Sequence, residues 1–136
     1  MAQLRSANVP IRTLEQFHGA RRQVLEWAER LGFSSLERTK LVTATSELAR
    51  NMLVHGRGGE MTLSELSDGN RQGLQLQFED TGPGILDIPQ AMTDGFSTGG
   101  SLGLGLGGAR RLVNEFELWS EPARGTRIMV RQWKRR

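Results

Sequence analysis

Seven of the chain's seventeen glycines fall within fourteen positions, "GFSTGGSLGLGLGG", residues 95–108. Glycine reaches positive φ and lets a ligand approach the backbone closely, but inside regular structure it costs roughly 0.5–1 kcal/mol relative to alanine. The run therefore predicts a loop or a binding surface, not the interior of a helix or strand. Which of the two it is depends on the segments around it.

Those segments have readable periodicities. "ANVPIRTL" (7–14) predicts a short extended stretch. In "EQFHGARRQVLEWAERLGF", Phe17, Val24, Leu25, Ala28 and Leu31 recur at helical spacing, and Gly32 predicts the stop. In "SSLERTKLVTATSELARNMLVHG", Ser34 followed by Glu37 fits a capping box, and Leu41, Leu48 and Met52 form an apolar stripe ending at Gly56. "EMTLSEL" (60–66) and "GLQLQFED" (73–80) alternate about the turn-forming "SDGN", which predicts an antiparallel hairpin with one covered face. Beyond the glycines, "ARRLVNEF" predicts a third helix, and "FELWSE" and "GTRIMVRQW" closing strands. Strand, two helices, two strands, loop, helix and two strands give an α/β expectation: a two-layer sandwich of a mixed, largely antiparallel sheet with helices on one face. Trp27 and Trp119 are expected in its core, and Trp133 is open between core and interface.

At 136 residues the chain reads as one domain, 1–136, without repeat or linker. No cysteine is present, so disulfides and thiolate metal sites are excluded. A charged start followed by an apolar run is missing, as is any span of about 18 apolar residues, so no export or membrane signal is read and a soluble cytoplasmic protein is expected. Net charge is +3, and the basic excess is visible in "RQWKRR" (131–136), which reads as a short solvated tail. No long basic stripe interleaved with aromatics supports a nucleic-acid partner, and none is expected.

Gly103, Gly105 and Gly108 formally match G-x-G-x-x-G. A dinucleotide fingerprint, however, needs a preceding strand and an acidic residue about 20 positions on within a βαβαβ unit. Here a polar loop precedes, and only 28 residues follow Gly108. No G-x-x-x-x-G-K-[ST] occurs either. The glycines do lead into a helix, and amides at a helix N-terminus bind anions, so a phosphate site outside both motifs stays open beside a plain surface loop.

Two further stretches bear on that choice. Glu47, Asn51 and His55 are spaced i, i+4, i+8 and so share one helix face. The glutamate is a potential base, and the asparagine carbonyl suits Mg²⁺, which keeps waters and takes much of its coordination from phosphates; a solvated helix face is the alternative. "EDTGPGI" (79–85) ends an alternating strand in Asp80, followed closely by Gly82 and Gly84. A carboxylate there can accept from an exocyclic amine while the glycines admit a flat base; the alternative is an Asp-initiated turn.

Taken together and in order, "SELARNMLVHG", "EDTGPGI" and "STGGSLGLGLGGARRL" resemble the three nucleotide motifs of the GHKL ATPase superfamily, which includes gyrase, histidine kinases and MutL. The stretch "DGFSTGGSLGLGLGGARRLVNEFEL" is most similar to the bacterial serine/threonine kinases of the anti-sigma regulatory group, and within them to the RsbT-type switch kinases. The resemblance runs from about residue 8 to 132. It implies the Bergerat, histidine-kinase-like fold and the cofactors ATP and Mg²⁺. Glu47 becomes the catalytic base and Asn51 the ligand of a Mg²⁺ bridging the ATP phosphates. Asp80 reads the adenine amino group, Gly82 and Gly84 make room for the base, and Thr126 in "RGTRIMV" supports the adenine contact. The segment from about Leu86 to Ser101, with Ser97, Thr98 and Gly99, resembles a short ATP lid. Gly103, Leu104, Gly105 and Gly107 resemble the glycine box that meets the phosphates. Gly107 stands where many switch kinases carry proline, which predicts a looser helix entry.

The same resemblance implies partners. They are a STAS-domain antagonist and related co-antagonists in a stress-sensing assembly (a stressosome), and the regulatory domain of a PP2C-type phosphatase. An expected switch kinase phosphorylates the first and, once released, binds and activates the second. The competing expectations are an anti-sigma kinase that sequesters a sigma factor, and an ATP-binding interaction module without transfer activity.

Overall fold

The computed structural model describes residues 1–85, 88–92 and 105–135. The leading strand, β1 (Ala2–Ile11), starts earlier than the extended signal at residue 7, because its first residues pair with Ser67 and Leu66 before a register shift between Gln3 and Arg5. Helix α1 (Leu14–Leu31) begins at Thr13, whose hydroxyl accepts from Gln16 N at 3.1 Å, and ends at Gly32, whose φ of +83° suits glycine. Helix α2 (Ser35–Val54) opens on the expected capping box: Glu37 N donates to Ser34 Oγ at 3.1 Å, and Ser34 N to Glu37 Oε1 at 2.8 Å.

Strands β2 (Gly59–Asp68) and β3 (Arg71–Asp80) form the predicted hairpin. The pair Asp68–Arg71 leaves Gly69 and Asn70 as the turn, and Gly69 supplies the positive φ of +61° that such a short connection requires. A short helix α3 (Ile88–Ala91) and helix α4 (Gly105–Leu112) precede β4 (Glu115–Glu121) and β5 (Gly125–Trp133). The five-stranded sheet has the order β1-β2-β3-β5-β4, and every described pairing is antiparallel.

Alternation decides which sheet face is covered. Met61 and Leu63 of β2, Leu74, Leu76 and Phe78 of β3, and Ile128 and Val130 of β5 are buried in one cluster with Val24, Leu41, Ala44, Leu48 and Met52 of the helices. This places the helical layer on that face and leaves the other with Gln75, Gln77, Arg127 and Trp119. Trp119 is thus 46% exposed, contrary to the core expectation, with the Arg127 guanidinium 5.6 Å from its ring centroid. Trp27 and Trp133 are buried.

Two further expectations need correction. The basic tail is ordered structure through residue 135. Arg131 and Trp133 lie in β5, Trp133 Nε1 donates to Glu115 Oε2 at 2.6 Å, Arg131 Nε donates to Gln75 Oε1 at 2.7 Å, and Arg135 N donates to Glu37 Oε2 at 2.8 Å. The third helix starts at Gly105 and ends at Leu112, so Gly105, Gly107 and Gly108 belong to it while Asn114 to Phe116 do not. Burial of Leu106 and Ala109 against α2 offsets the helical cost of three glycines. No described helix is long and apolar enough to cross a membrane.

Candidate active site

Helix α2 joins two clusters of polar groups. At the first, the Glu47 side chain is only 10% exposed, and its Oε2 accepts from Gly105 N at 3.3 Å and lies 3.5 Å from Arg50 Nη1. Gly105 is the first residue of α4 and has φ +74°, which glycine adopts without strain. The first amide of the helix after the glycine run is therefore presented to the carboxylate on α2. Asn51 follows one turn on and is half-buried. His55, expected on the same face, is the exposed C-cap residue, past the last full turn.

At the far end of α2, Gly56 meets the end of β3. A Cβ on Gly56 would collide with the Asp80 carboxylate, and one on Gly82 would lie 2.7 Å from Gly56 Cα. Gly84 has φ +78° and a Cβ there would strike Glu121 O. Gly82 and Gly84 are thus required by the protein's own close packing, Gly82 against Gly56 and Gly84 against Glu121, whatever room they leave for a base. Asp80 Oδ1 accepts from Gly82 N at 3.0 Å. Burial pushes the Asp80 carboxyl above its ordinary value, against the backbone donors Gly82 and Thr126, which pull it down.

Thr126 is buried opposite Asp80 in the β3–β5 ladder. Its hydroxyl is 2.9 Å from Ser120 Oγ, which also lies 3.1 Å from Gly125 O and accepts from Ile85 N at 2.8 Å. Ser120 and Gly56 are the residues that reading the sequence missed. The signal for Ser120 was its inward parity in β4, where it follows Phe116 and Leu118; the signal for Gly56 was absorbed by its role in ending a helix.

The structure therefore brings Glu47 to Gly105, and Asp80 to Gly82 and Thr126, with Asn51 between the two clusters along α2. Gly107 is buried inside α4. Ser97, Thr98, Gly99, Gly103, Leu104 and most of the expected lid lie outside the described residues. A half-buried carboxylate at a strand end suits an exocyclic amine, and a helix-start amide suits a phosphate oxygen, so the donor and acceptor chemistry fits ATP. Among the described residues no three His, Asp or Glu side chains converge as a metal cage. A Mg²⁺ at the Asn51 oxygen would draw its remaining ligands from phosphate and water.

Comparison with known proteins shows the family. The model of the histidine kinase-, DNA gyrase B- and HSP90-like ATPase family matches residues 37–136. The chain belongs to this histidine kinase-, gyrase- and HSP90-like ATPase family. It is 44% identical over 108 residues to the serine/threonine-protein kinase RsbT of Bacillus subtilis (strain 168), covering 79% of this chain and 81% of that protein. It is 29% identical over 120 residues to the anti-sigma F factor of Thermoanaerobacter sp. (strain X514), covering 84% and 82%. The resemblance to RsbT-type kinases thus holds over most of the chain.

Solved structures share the family's fold. The RsbU and RsbW domains of a Mycobacterium tuberculosis protein superpose with a TM-score of 0.67 at 19% identity; the match covers 98% of this chain, which spans about a third (34%) of that one. The catalytic domain of the histidine kinase ThkA gives 0.51 at 16% identity, over 96% and 97%.

Proposed function

We propose that the chain is an ATP-dependent protein serine/threonine kinase acting as a partner switch. The observation that carries this reading is the arrangement along α2: Glu47, within the helix, held on the first residue of α4, and Asp80 packed against Gly56 just past the helix's C-terminal end. Gly56 is nine positions on from Glu47, roughly 13 Å at 1.5 Å per residue. A nucleoside triphosphate laid along this helix would have its base at Asp80 and its phosphates towards Glu47 and Gly105.

Phosphoryl transfer asks for positioning and charge stabilisation more than covalent chemistry. Glu47 orients the serine or threonine hydroxyl of the acceptor and takes its proton. The hydroxyl oxygen bonds to the γ-phosphorus as the bond to the β–γ bridging oxygen breaks, and ADP leaves with that oxygen. Mg²⁺ held at Asn51 would neutralise charge on the phosphates. Ser97, Thr98 and Gly99 of the lid and Gly103, Leu104, Gly105 and Gly107 of the glycine box complete the nucleotide contacts in this reading. Thr126 supports Asp80 at the base.

The acceptor in this reading is a STAS-domain antagonist protein, and the released kinase binds and activates a PP2C-type phosphatase through its regulatory domain. Similarity to RsbT, at 44% identity over most of both chains, supports it. Similarity to an anti-sigma F factor supports a second reading, in which the same pocket phosphorylates an antagonist while the protein holds a sigma factor. Incubation with Mg²⁺ and γ-labelled ATP, against the STAS proteins and sigma factors of the same genome, separates the two. Label on a STAS protein without sigma-factor binding supports the switch kinase; stable sigma-factor capture supports the second reading.

A further inference from the structure

We propose that Arg50 is a positioning residue for Glu47, one that fixes the catalytic carboxylate against helix α4. This deepens the kinase reading above and rests on it. Arg50 and Glu47 are i, i+3 partners on α2, with Arg50 Nη1 3.5 Å from Glu47 Oε2. The same oxygen accepts from Gly105 N at 3.3 Å. A glutamate side chain has rotatable bonds enough to sweep its carboxylate over several ångströms, and in a helix only some of those rotamers are closed off. An ion pair and an amide hydrogen bond on one oxygen, from two different elements, restrict that sweep. Oε2 is therefore the anchored atom of the carboxylate, held from its own helix by a guanidinium and from α4 by a backbone amide.

Relative exposure argues against an ordinary surface ion pair. The Glu47 side chain is 10% exposed and that of Arg50 37%, so the guanidinium stands between a nearly buried carboxylate and solvent. As the group that sets where Glu47 points, Arg50 governs the alignment of hydroxyl and phosphorus. Small misplacements at a reacting centre are expensive in rate, a 1 Å error costing on the order of a hundredfold. Arg50 also couples the carboxylate to the glycine run, because loss of the guanidinium frees Oε2 to leave the Gly105 amide.

The test uses the full chain with Mg-ATP and the STAS protein that accepts label, comparing wild type, Arg50→Ala, Arg50→Lys and Glu47→Gln. For Arg50→Ala the expected result is a kcat lower by about tenfold, with KM for ATP within about twofold and an unchanged melting temperature. Arg50→Lys, which keeps a charge in reach of Oε2, recovers part of the loss, as does added guanidinium with Arg50→Ala. The Gly105 amide resonance is read separately, without catalysis: it moves in both Arg50→Ala and Glu47→Gln, in the same direction. A kcat within twofold of wild type, a loss confined to KM, or a Gly105 amide that stays in place in Arg50→Ala each overturn the positioning role. Absence of transfer by the wild type to any STAS protein overturns the kinase reading instead, and the Gly105 resonance then still decides whether Arg50 holds Glu47.

Discussion

Asp80 and Thr126 face each other as the last pair of the β3–β5 ladder, and the Thr126 hydroxyl is 2.9 Å from Ser120 Oγ on the neighbouring strand. A half-buried carboxylate, a buried threonine and a serine thus form one cross-strand polar path beneath the proposed base site. It reaches Ile85, whose amide donates to Ser120.

Asp80 carries a pH signature. Burial raises its carboxyl above the ordinary 3.8, so the folded chain holds this proton more tightly than the unfolded one. Its ionisation costs stability as pH rises from 3.8 through the raised folded value, and the cost persists at neutral pH. Asp80→Asn should therefore gain on wild type in urea denaturation as pH rises across that window, while ATP affinity falls by about tenfold or more because the amide loses the charge and replaces one acceptor oxygen with a donor. A stability difference that does not change with pH would contradict the burial argument.

Glu37 has the opposite sign. Burial raises its carboxyl, but the amides of Ser34 and Arg135, the Ser34 hydroxyl and the charge of Arg135 outweigh it and hold the net value below 4.5. Its contribution is present above that value and lost as pH falls below it. Glu37→Gln should destabilise by about 1–3 kcal/mol at pH 7, with the gap to wild type narrowing in acid. Equilibrium urea curves at several pH values measure it.

Ser120→Ala leaves the Ile85 amide without the acceptor seen here and removes the partner of the Thr126 hydroxyl. The expected cost is about 1–3 kcal/mol, as for other part-buried groups left unpaired. Weaker ATP binding should accompany it. Thermal unfolding and nucleotide titration of the same variant report the two effects.

The fold was legible wherever a local rule and tertiary packing agreed. Gly32, the Ser34–Glu37 box and "SDGN" each terminate or start an element by backbone chemistry alone, and the structure keeps all three. Gly105 to Gly108 misled because propensity is local: glycine disfavours a helix, yet burial of Leu106 and Ala109 against α2 outweighs it. Trp119 misled because an apolar side chain does not reveal which sheet face is covered; parity relative to Leu118 does. The basic C-terminus looked like a solvated tail because the partners of Arg131, Trp133 and Arg135 are Gln75, Glu115 and Glu37, distant in sequence for all but one. For the site, Glu47 and Asp80 could be named from their spacing and neighbours, but the contact between Glu47 and Gly105 spans 58 residues and no local pattern announces it.

Burial, rather than sheet face, gives a contrast between the tryptophans, because Trp119 and Trp133 share the face that carries Arg127 and Arg131. Trp133→Ala removes a buried ring that bonds Glu115 and lies under Arg71, so about 3–5 kcal/mol should be lost. Trp119→Ala, at an exposed position on that face, should cost no more than about 1 kcal/mol. Equal losses for the two variants in chemical denaturation would contradict this difference in burial.

Gly56→Ala puts a methyl group into the Asp80 carboxylate. ATP affinity should fall by about tenfold or more, because the carboxylate must move from the position that reads the base. Calorimetric titration with Mg-ATP gives the number.

Single-turnover transfer of labelled phosphate from Mg-ATP to a STAS-domain acceptor, with wild type beside Glu47→Ala, bears most directly on the kinase reading. The account predicts one phosphoryl group on an acceptor serine or threonine with wild type, and a rate lower by about 10²–10⁴-fold with Glu47→Ala although ATP still binds. Transfer by Glu47→Ala at the wild-type rate would contradict it.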